Sequence, residues 1–257
     1  MNILPPGTLL QLMYIEERLK NIPPRHFIEI GPGRGEISNL LLTLGWSGTV
    51  FELEPVTTAL LNKRFAAEIS AGRYTVINQD WLMYGHTHPC DLVISCMVME
   101  HLNAEQERQF IHNAGMALNP GGMLISLVPA SPAYWGIEDE IAGHFRRYTR
   151  QYIQELLANE SWSIAHVAGL TYPISNLLLP LSNWLVRRSE SKKLALPLIE
   201  RTKQSGVRDV IMKTRFPNVF GLLLNKRFIF PFYILQKLFT KSTNALVLYF
   251  EARPIDT

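Results

Sequence analysis

Between Phe27 and Ala130 the chain alternates short, unbroken apolar runs with longer stretches in which Leu, Ile and Phe recur every three or four residues. Short runs of this kind read as strands, and the 3.6-residue spacing reads as amphipathic helix. The pattern predicts strands at Phe27–Ile30, Gly48–Pro55, Tyr74–Asp80, Asp91–Val98 and Met123–Ala130. It predicts helices after a turn that opens at Gly31, from Val56 to Ser70 and from Ala104 to Leu118, with "NPGG" (119–122) as a turn. Asp91–Val98 is apolar almost throughout, as a strand covered on both faces should be. A first helix, Leu9–Lys20, turns Glu16 and Glu17 outward and is stopped by Pro23 and Pro24. Strands alternating with helices give βαβ units, hence an α/β protein with a doubly wound, mostly parallel sheet and helices on both faces.

After Pro129 the rhythm changes. Ser131–Thr149 reads as a loop, Arg150–Asn159 as a helix and Trp162–Leu170 as a strand. A long helical stretch comes next, interrupted by Pro173, Pro180, Pro197, Pro217 and Pro231. Asn244–Pro254 returns to strand composition and is expected to pair beside Trp162–Leu170. The expected organisation is a core over 1–170 with its N-terminal helix, a helical insertion over 171–243, and a last core strand with its tail over 244–257.

Composition sharpens this. Of the 257 residues, 47% are hydrophobic, with a mean hydropathy of +0.05, enough for a substantial core. Cys90 and Cys96 make no disulfide framework and lack the partners for a zinc site, so two buried thiols and no metal are expected. Met1–Leu10 carries no signal-peptide pattern, and no uninterrupted apolar run is long enough to span a bilayer. The expected location is cytoplasmic. The net charge of +3 hides an asymmetry. Between Leu170 and Ala245 thirteen bases face three acids, so this stretch is basic and the remainder acidic.

The candidate chemistry begins at "FIEIGPGRGEIS" (27–38). Glycines at a strand-to-helix turn let a ligand approach unpaired backbone N–H groups. The spacing Gly31-x-Gly33-x-Gly35, followed by Glu36, departs from phosphate-binding GxGxxG and GxxxxGK[ST] loops. Glu29 and Glu36 beside the loop suit a cation better than a pyrophosphate. Glu52, twenty-three residues after Glu29, ends the second strand, where an acid accepts from both ribose hydroxyls of an adenosine.

"EIGPGRG", "FELEP", "NQDWL", "CDLVISCMVMEHL" and "LNPGGMLISLVP" together resemble the successive motifs of class I S-adenosylmethionine-dependent methyltransferases, over about half of the chain. The resemblance implies a Rossmann-like, seven-stranded sheet with a reversed final hairpin. It implies that Gly31, Gly33 and Gly35 lie against the methionine part of S-adenosyl-L-methionine, with Glu29 near its amino group. It gives Glu52 the ribose, Asp80 the adenine amino group, and Trp81 and Leu53 the adenine ring. Cys96 and Met97 would line the floor beside the sulfonium.

The fourth strand lacks the Asn/Asp-Pro-Pro-Tyr element of methyltransferases acting on base amino groups, and "MEHL" resembles the helix start of small-molecule and lipid methyltransferases. His101 reads as structural, near a helix N-terminus. "WGIEDEIAGHFRRYT" (135–149) resembles a "D…GHxRRYT" segment of that subset. There His144 is the candidate general base, with Glu138, Asp139 or Glu140 to orient it. Arg146 or Arg147 can hold an anionic substrate group, with Tyr148 beside them. The alternative is a lid-ordering loop in which Arg pairs with the acids. Such methyl transfer depends more on in-line positioning than on base strength.

Three readings of the basic insertion compete: a lid over the active site, an element lying on an anionic membrane surface, or a nucleic-acid contact. Its Leu-rich runs argue against the third. The expected function is methyl transfer to a small-molecule or lipid-like acceptor, with oxygen as target. An RNA methyltransferase or a non-catalytic cofactor-binding or membrane-interaction protein is the alternative. Oligomeric state is not legible.

Overall fold

The computed structural model describes residues 3–83, 89–195, 216 and 218–255. Pro197, Pro217 and the bases from Arg201 to Arg215 lie outside them. Strands β1 (His26–Ile30), β2 (Ser47–Phe51), β3 (Tyr74–Ile77), β4 (Cys90–Cys96), β5 (Leu118–Pro129), β6 (Trp162–Leu170) and β7 (Val247–Pro254) form one sheet, in the order β3-β2-β1-β4-β5-β7-β6. The pairs β3/β2, β2/β1, β1/β4 and β4/β5 are parallel. At the far edge Ser161 accepts from the Ile255 N–H and the Ser163 hydroxyl donates to the Arg253 carbonyl, so β6 and β7 run antiparallel. The seven-stranded, mostly parallel sheet and its reversed last hairpin therefore stand as expected.

Helices α1 (Pro6–Leu19), α2 (Glu36–Thr43), α3 (Pro55–Arg64), α4 (Ala66–Ser70), α5 (Ala104–Ala117), α6 (Ile137–Ala142), α7 (Arg150–Asn159), α8 (Ile174–Glu190) and α9 (Lys226–Leu238) complete the described elements. Several depart from the sequence pattern for identifiable reasons. The helix expected over 56–70 breaks at Phe65, whose buried ring stacks near Tyr74 with centroids 4.8 Å apart. The "NPGG" turn is a bulge inside β5, because Cys90 pairs with Leu118 while Leu92 pairs with Met123. Pro180 and Pro231 do not interrupt their helices. Both lie on exposed faces, where a missing helical hydrogen bond costs less than it would in a buried turn. The segment after Ser131 holds a 3₁₀ turn and α6 rather than loop alone. The helix expected at Ala104 is capped by Asn103, whose side chain accepts from the Glu105 and Gln106 N–H groups, and not by His101.

Contacts gather the chain into two compact units. The sheet unit holds Ile22–Val128, Arg150–Val167 and the chain from Tyr249 onward. Its centre is dry: Leu92, Val93, Ile94, Leu124, Ile125 and Leu127 are fully buried, as internal parallel strands require. Gly48 in β2 leaves room for the Phe27 ring, since a Cβ there would sit 2.1 Å from it. The helical unit holds the chain up to Asn21, Pro129–Thr149 and Ala168–Leu248. Inside it α1 carries α9, where the Tyr233 hydroxyl and the Lys237 ammonium both donate to the Glu17 carboxylate, at 2.7 and 2.6 Å. Their bonds outweigh partial burial and hold Glu17 below its ordinary pKa.

A buried acid ties the first strand of the sheet unit to the helix after it. Glu29 on β1 is 2% exposed. The Ser38 hydroxyl in the first turn of α2 donates to its Oε2 at 2.5 Å, and lies 2.8 Å from the Tyr74 hydroxyl. Burial is the largest influence on Glu29 and pushes its pKa up to about 7, against the opposing bonds from Ser38. A carboxyl whose folded pKa exceeds the unfolded one favours folding at low pH and loses that advantage as pH rises between 4.5 and about 7. Glu29→Gln should therefore flatten the thermal stability profile across that window. The variant's stability relative to the natural chain should rise by on the order of 3 kcal/mol from pH 4 to pH 8. Parallel melting curves for the two chains would contradict this.

Candidate active site

The sheet order puts β1 and β4 side by side with their crossovers leading to opposite flanks, and ligands of open α/β sheets bind at the carboxyl edge of such a switch point. Gly31 leaves β1 there, donating its N–H to the Phe51 carbonyl at 2.9 Å. Gly31, Gly33 and Gly35 have φ of +63°, +52° and +79°, the left-handed region that L side chains rarely adopt. Space forbids side chains as well: a Cβ on Gly31 would lie 2.7 Å from Val98 Cγ2, and one on Gly35 2.5 Å from the Phe65 ring. The loop is therefore bare main chain by necessity.

The carboxylates beside it are partly committed. Glu36 pairs with the Arg64 guanidinium through two bonds, at 2.8 and 3.2 Å, and Arg64 also donates to the Arg34 carbonyl. Glu29 lies under the α2 N-terminus rather than at the loop surface. Glu29 and Glu36, expected to suit a cation at the loop, are thus both held by partners, and Glu52 is the third carboxylate there. Its carboxylate, half-buried after β2, accepts from the Glu54 N–H at 2.9 Å, and the Leu53 and Gly33 backbone N–H groups favour its charged form. Burial is the strongest influence and raises its pKa, against these bonds. The Gly33 N–H thus bears on the acid that sequence spacing paired with the glycine turn.

Asn78, just past β3, is a site residue that sequence reasoning misses. Its amide donates to the Glu52 carbonyl at 2.7 Å and to the Leu53 carbonyl at 3.2 Å, fixing the β2 exit. A polar residue directly after a strand is its one signal in the sequence. Asp80 accepts from the Leu82 N–H at 2.9 Å, starting the 3₁₀ turn Trp81–Met83. The Trp81 ring is 3% exposed and packs edge-on against Phe51, centroids 5.0 Å apart, so little of its face is open. Leu53, directly after Glu52, is 55% exposed. Cys96 closes β4, its thiol pKa pushed up by burial first and then by the charges of Glu100 and Glu29. Met97 comes next with φ +57° and its N–H on the Leu127 carbonyl at 2.8 Å.

Within the helical unit the structure selects Asp139 from the three acids that could orient His144. Asp139, fully buried in α6, accepts from His144 Nδ1 at 2.8 Å and from Arg147 Nε at 3.0 Å with both oxygens. It also takes the Gly136 N–H at 2.9 Å. Burial alone would raise this carboxyl; the His144 bond, the Arg147 charge and the Gly136 N–H outweigh it and hold it low. Arg147 further donates Nη1 to the Ala130 carbonyl at 3.2 Å, so most of its fork is turned inward. Tyr148 is 1% exposed, and its backbone bridges to Ala130. Glu138 accepts from the Ser182 hydroxyl on α8 at 2.7 Å. A carboxylate on Nδ1 holds the proton there and so fixes the tautomer of this imidazole.

The carboxyl ends of β1, β2 and β3 thus bring Gly31, Gly33, Gly35, Glu52, Leu53 and Asp80 to one edge of the sheet. Residues 9–167 match a family model described as a methyltransferase domain. The chain is 27% identical over 115 residues to an uncharacterized methyltransferase of Bacillus cytotoxicus, covering 44% of this chain and 52% of that one. To the uncharacterized methyltransferase YrrT of Bacillus subtilis it is 30% identical over 95 residues, 37% of this chain and 42% of that one. The chain thus spans about half the length of the curated relatives it matches. Among solved structures, the glycopeptide N-methyltransferase MtfA complexed with sinefungin is similar in fold, with a TM-score of 0.57 at 12% identity over 96% of this chain and 87% of that one. Magnesium protoporphyrin IX methyltransferase (ChlM) from Synechocystis PCC 6803 gives 0.53 at 20% identity over 64% and 77%. With a family match across well over half its length and the fold to go with it, the chain belongs to the methyltransferase-domain family.

Proposed function

We propose that the chain transfers a methyl group from S-adenosylmethionine to a small-molecule or lipid-linked acceptor, with oxygen as the receiving atom. The observation that carries this reading is the Glu52 carboxylate, held at the β2 exit by the Glu54 N–H, beside a glycine turn of left-handed backbone. When bound, S-adenosylmethionine supplies an electrophilic methyl on a sulfonium centre. The chain's own part is binding and orientation. Glu52 accepts from the ribose hydroxyls, and Asp80, Leu53 and the edge of Trp81 hold the base. Glu29 sets the charge beneath the loop that receives the amino-acid end, while Cys96 and Met97 line the floor.

His144 is the proposed base for the acceptor's proton, held by Asp139, with Arg147 and Tyr148 fixing the segment that carries it. Oxygen rests on the missing amino-methylation element after β4; the solved neighbours include N- and O-methyltransferases alike. A cytoplasmic enzyme working at the inner face of a membrane completes the proposal.

Two outcomes are expected. Glu52→Gln should weaken S-adenosylhomocysteine binding by roughly 10- to 100-fold in calorimetric titration, as expected when charged hydrogen bonds are lost. Unchanged affinity would remove Glu52 from the site and the reading with it. His144→Gln should lower kcat on the identified acceptor by roughly a hundredfold or more, leaving cofactor affinity intact. Asp139→Asn should fall between. A His144→Gln chain that turns over normally would leave positioning as the whole of catalysis.

A further inference from the structure

Helices α8 and α9 each carry two apolar faces where one would suffice. The inward face of α8 buries Val186, and that of α9 buries Ile229, Tyr233 and Gln236. Tyr233 and Lys237 bind α9 to Glu17 of α1, so its orientation is fixed. On α8 the residues Leu177, Leu181 and Trp184 are 75%, 52% and 55% exposed, at the i, i+4, i+7 spacing of a single stripe. On α9 Phe230, Ile234 and Leu238 repeat this every fourth residue, at 52%, 44% and 75%. Stripes of this size left in water mark a surface with an occupant.

The charges say which occupant. Lys226 and Lys237 are engaged by Glu16 and Glu17, each at 2.6 Å. Arg187, Arg188, Arg227 and Lys241 have no carboxylate partner among the described residues. Arg188 continues the Leu177–Trp184 stripe, with its guanidinium 5.7 Å from the Trp184 ring centroid. A tryptophan beside an arginine at the end of an apolar stripe is the composition of a lipid headgroup boundary. No described helix is long and apolar enough to cross a membrane, and a surface contact requires none. A second copy of the chain would bring cation against cation, which disfavours self-pairing through this face.

We propose that α8 and α9 seat the chain on an anionic phospholipid bilayer, apolar stripes in the acyl boundary and these four cations at the headgroups. This rests on the inner-membrane-face part of the function proposed above and assigns it to a face.

The full-length chain should float with phosphatidylcholine vesicles containing phosphatidylglycerol at low salt, and not with phosphatidylcholine alone. Arg187→Ala combined with Arg188→Ala should lower the partition coefficient by roughly 25-fold, at about fivefold per cation. Leu177→Ser combined with Leu181→Ser should abolish flotation. Both variants should keep the melting temperature and S-adenosylhomocysteine affinity of the natural chain. A chain that stays at the bottom with both vesicle types overturns the proposal, as does equal flotation with neutral vesicles. Self-association lost in the Leu variant, without vesicle binding, gives the face to a second copy and overturns it too. Cofactor titration on the same samples separates the two proposals: binding without flotation removes only the docking face, and flotation without binding removes only the methyl-transfer reading.

Discussion

A helix N-terminus set over a buried carboxyl governs the geometry of the sheet unit. To bring Ser38 onto Glu29, the chain must reverse within a few residues of leaving β1. Only left-handed backbone turns that tightly, and Val98 and Phe65 close the remaining space, so the reversal is made of glycine. The bare main chain at the carboxyl edge is thus a by-product of satisfying a buried acid. Its N–H groups are then available to Glu52 and to whatever lies beside it. Binding capacity and fold stability come from the same few atoms.

The order of strands and helices was legible because periodicity reports burial, and burial in a doubly wound sheet is regular. Arg150–Asn159 and Trp162–Leu170 match the structure to the residue. The misreadings lie where something other than periodicity decides. Prolines 180 and 231 read as interruptions, yet on exposed faces the missing helical bond costs too little to stop the helix. Ser131–Thr149 read as loop because one buried carboxylate orders it, with partners three, five and eight residues away at no regular spacing. In the site, Glu52 and the glycines could be found from a motif and a strand end. Ser38 and Tyr74 could not, since their partnership joins positions 36 residues apart across two elements. Trp81 looked like an aromatic platform for a base, and the structure commits most of that ring to Phe51.

The family match ends at residue 167, whereas α8 and α9 come after it. Beyond that match come the basic, apolar helices α8 and α9, with α9 packed on an N-terminal helix whose two glutamates neutralise the two lysines nearest them. That neutralisation leaves the arginines as the exposed cations, and guanidinium groups suit phosphate better than ammonium groups do.

The contact between Gly48 and Phe27 has an evolutionary edge. The aromatic ring occupies the volume that any side chain at 48 would need, so the two positions act as one unit of bulk shared across neighbouring strands. Enlarging position 48 first has nowhere to go, while shrinking position 27 first opens a void that a later substitution at 48 can fill. The pair is epistatic, and history can cross it in one direction only.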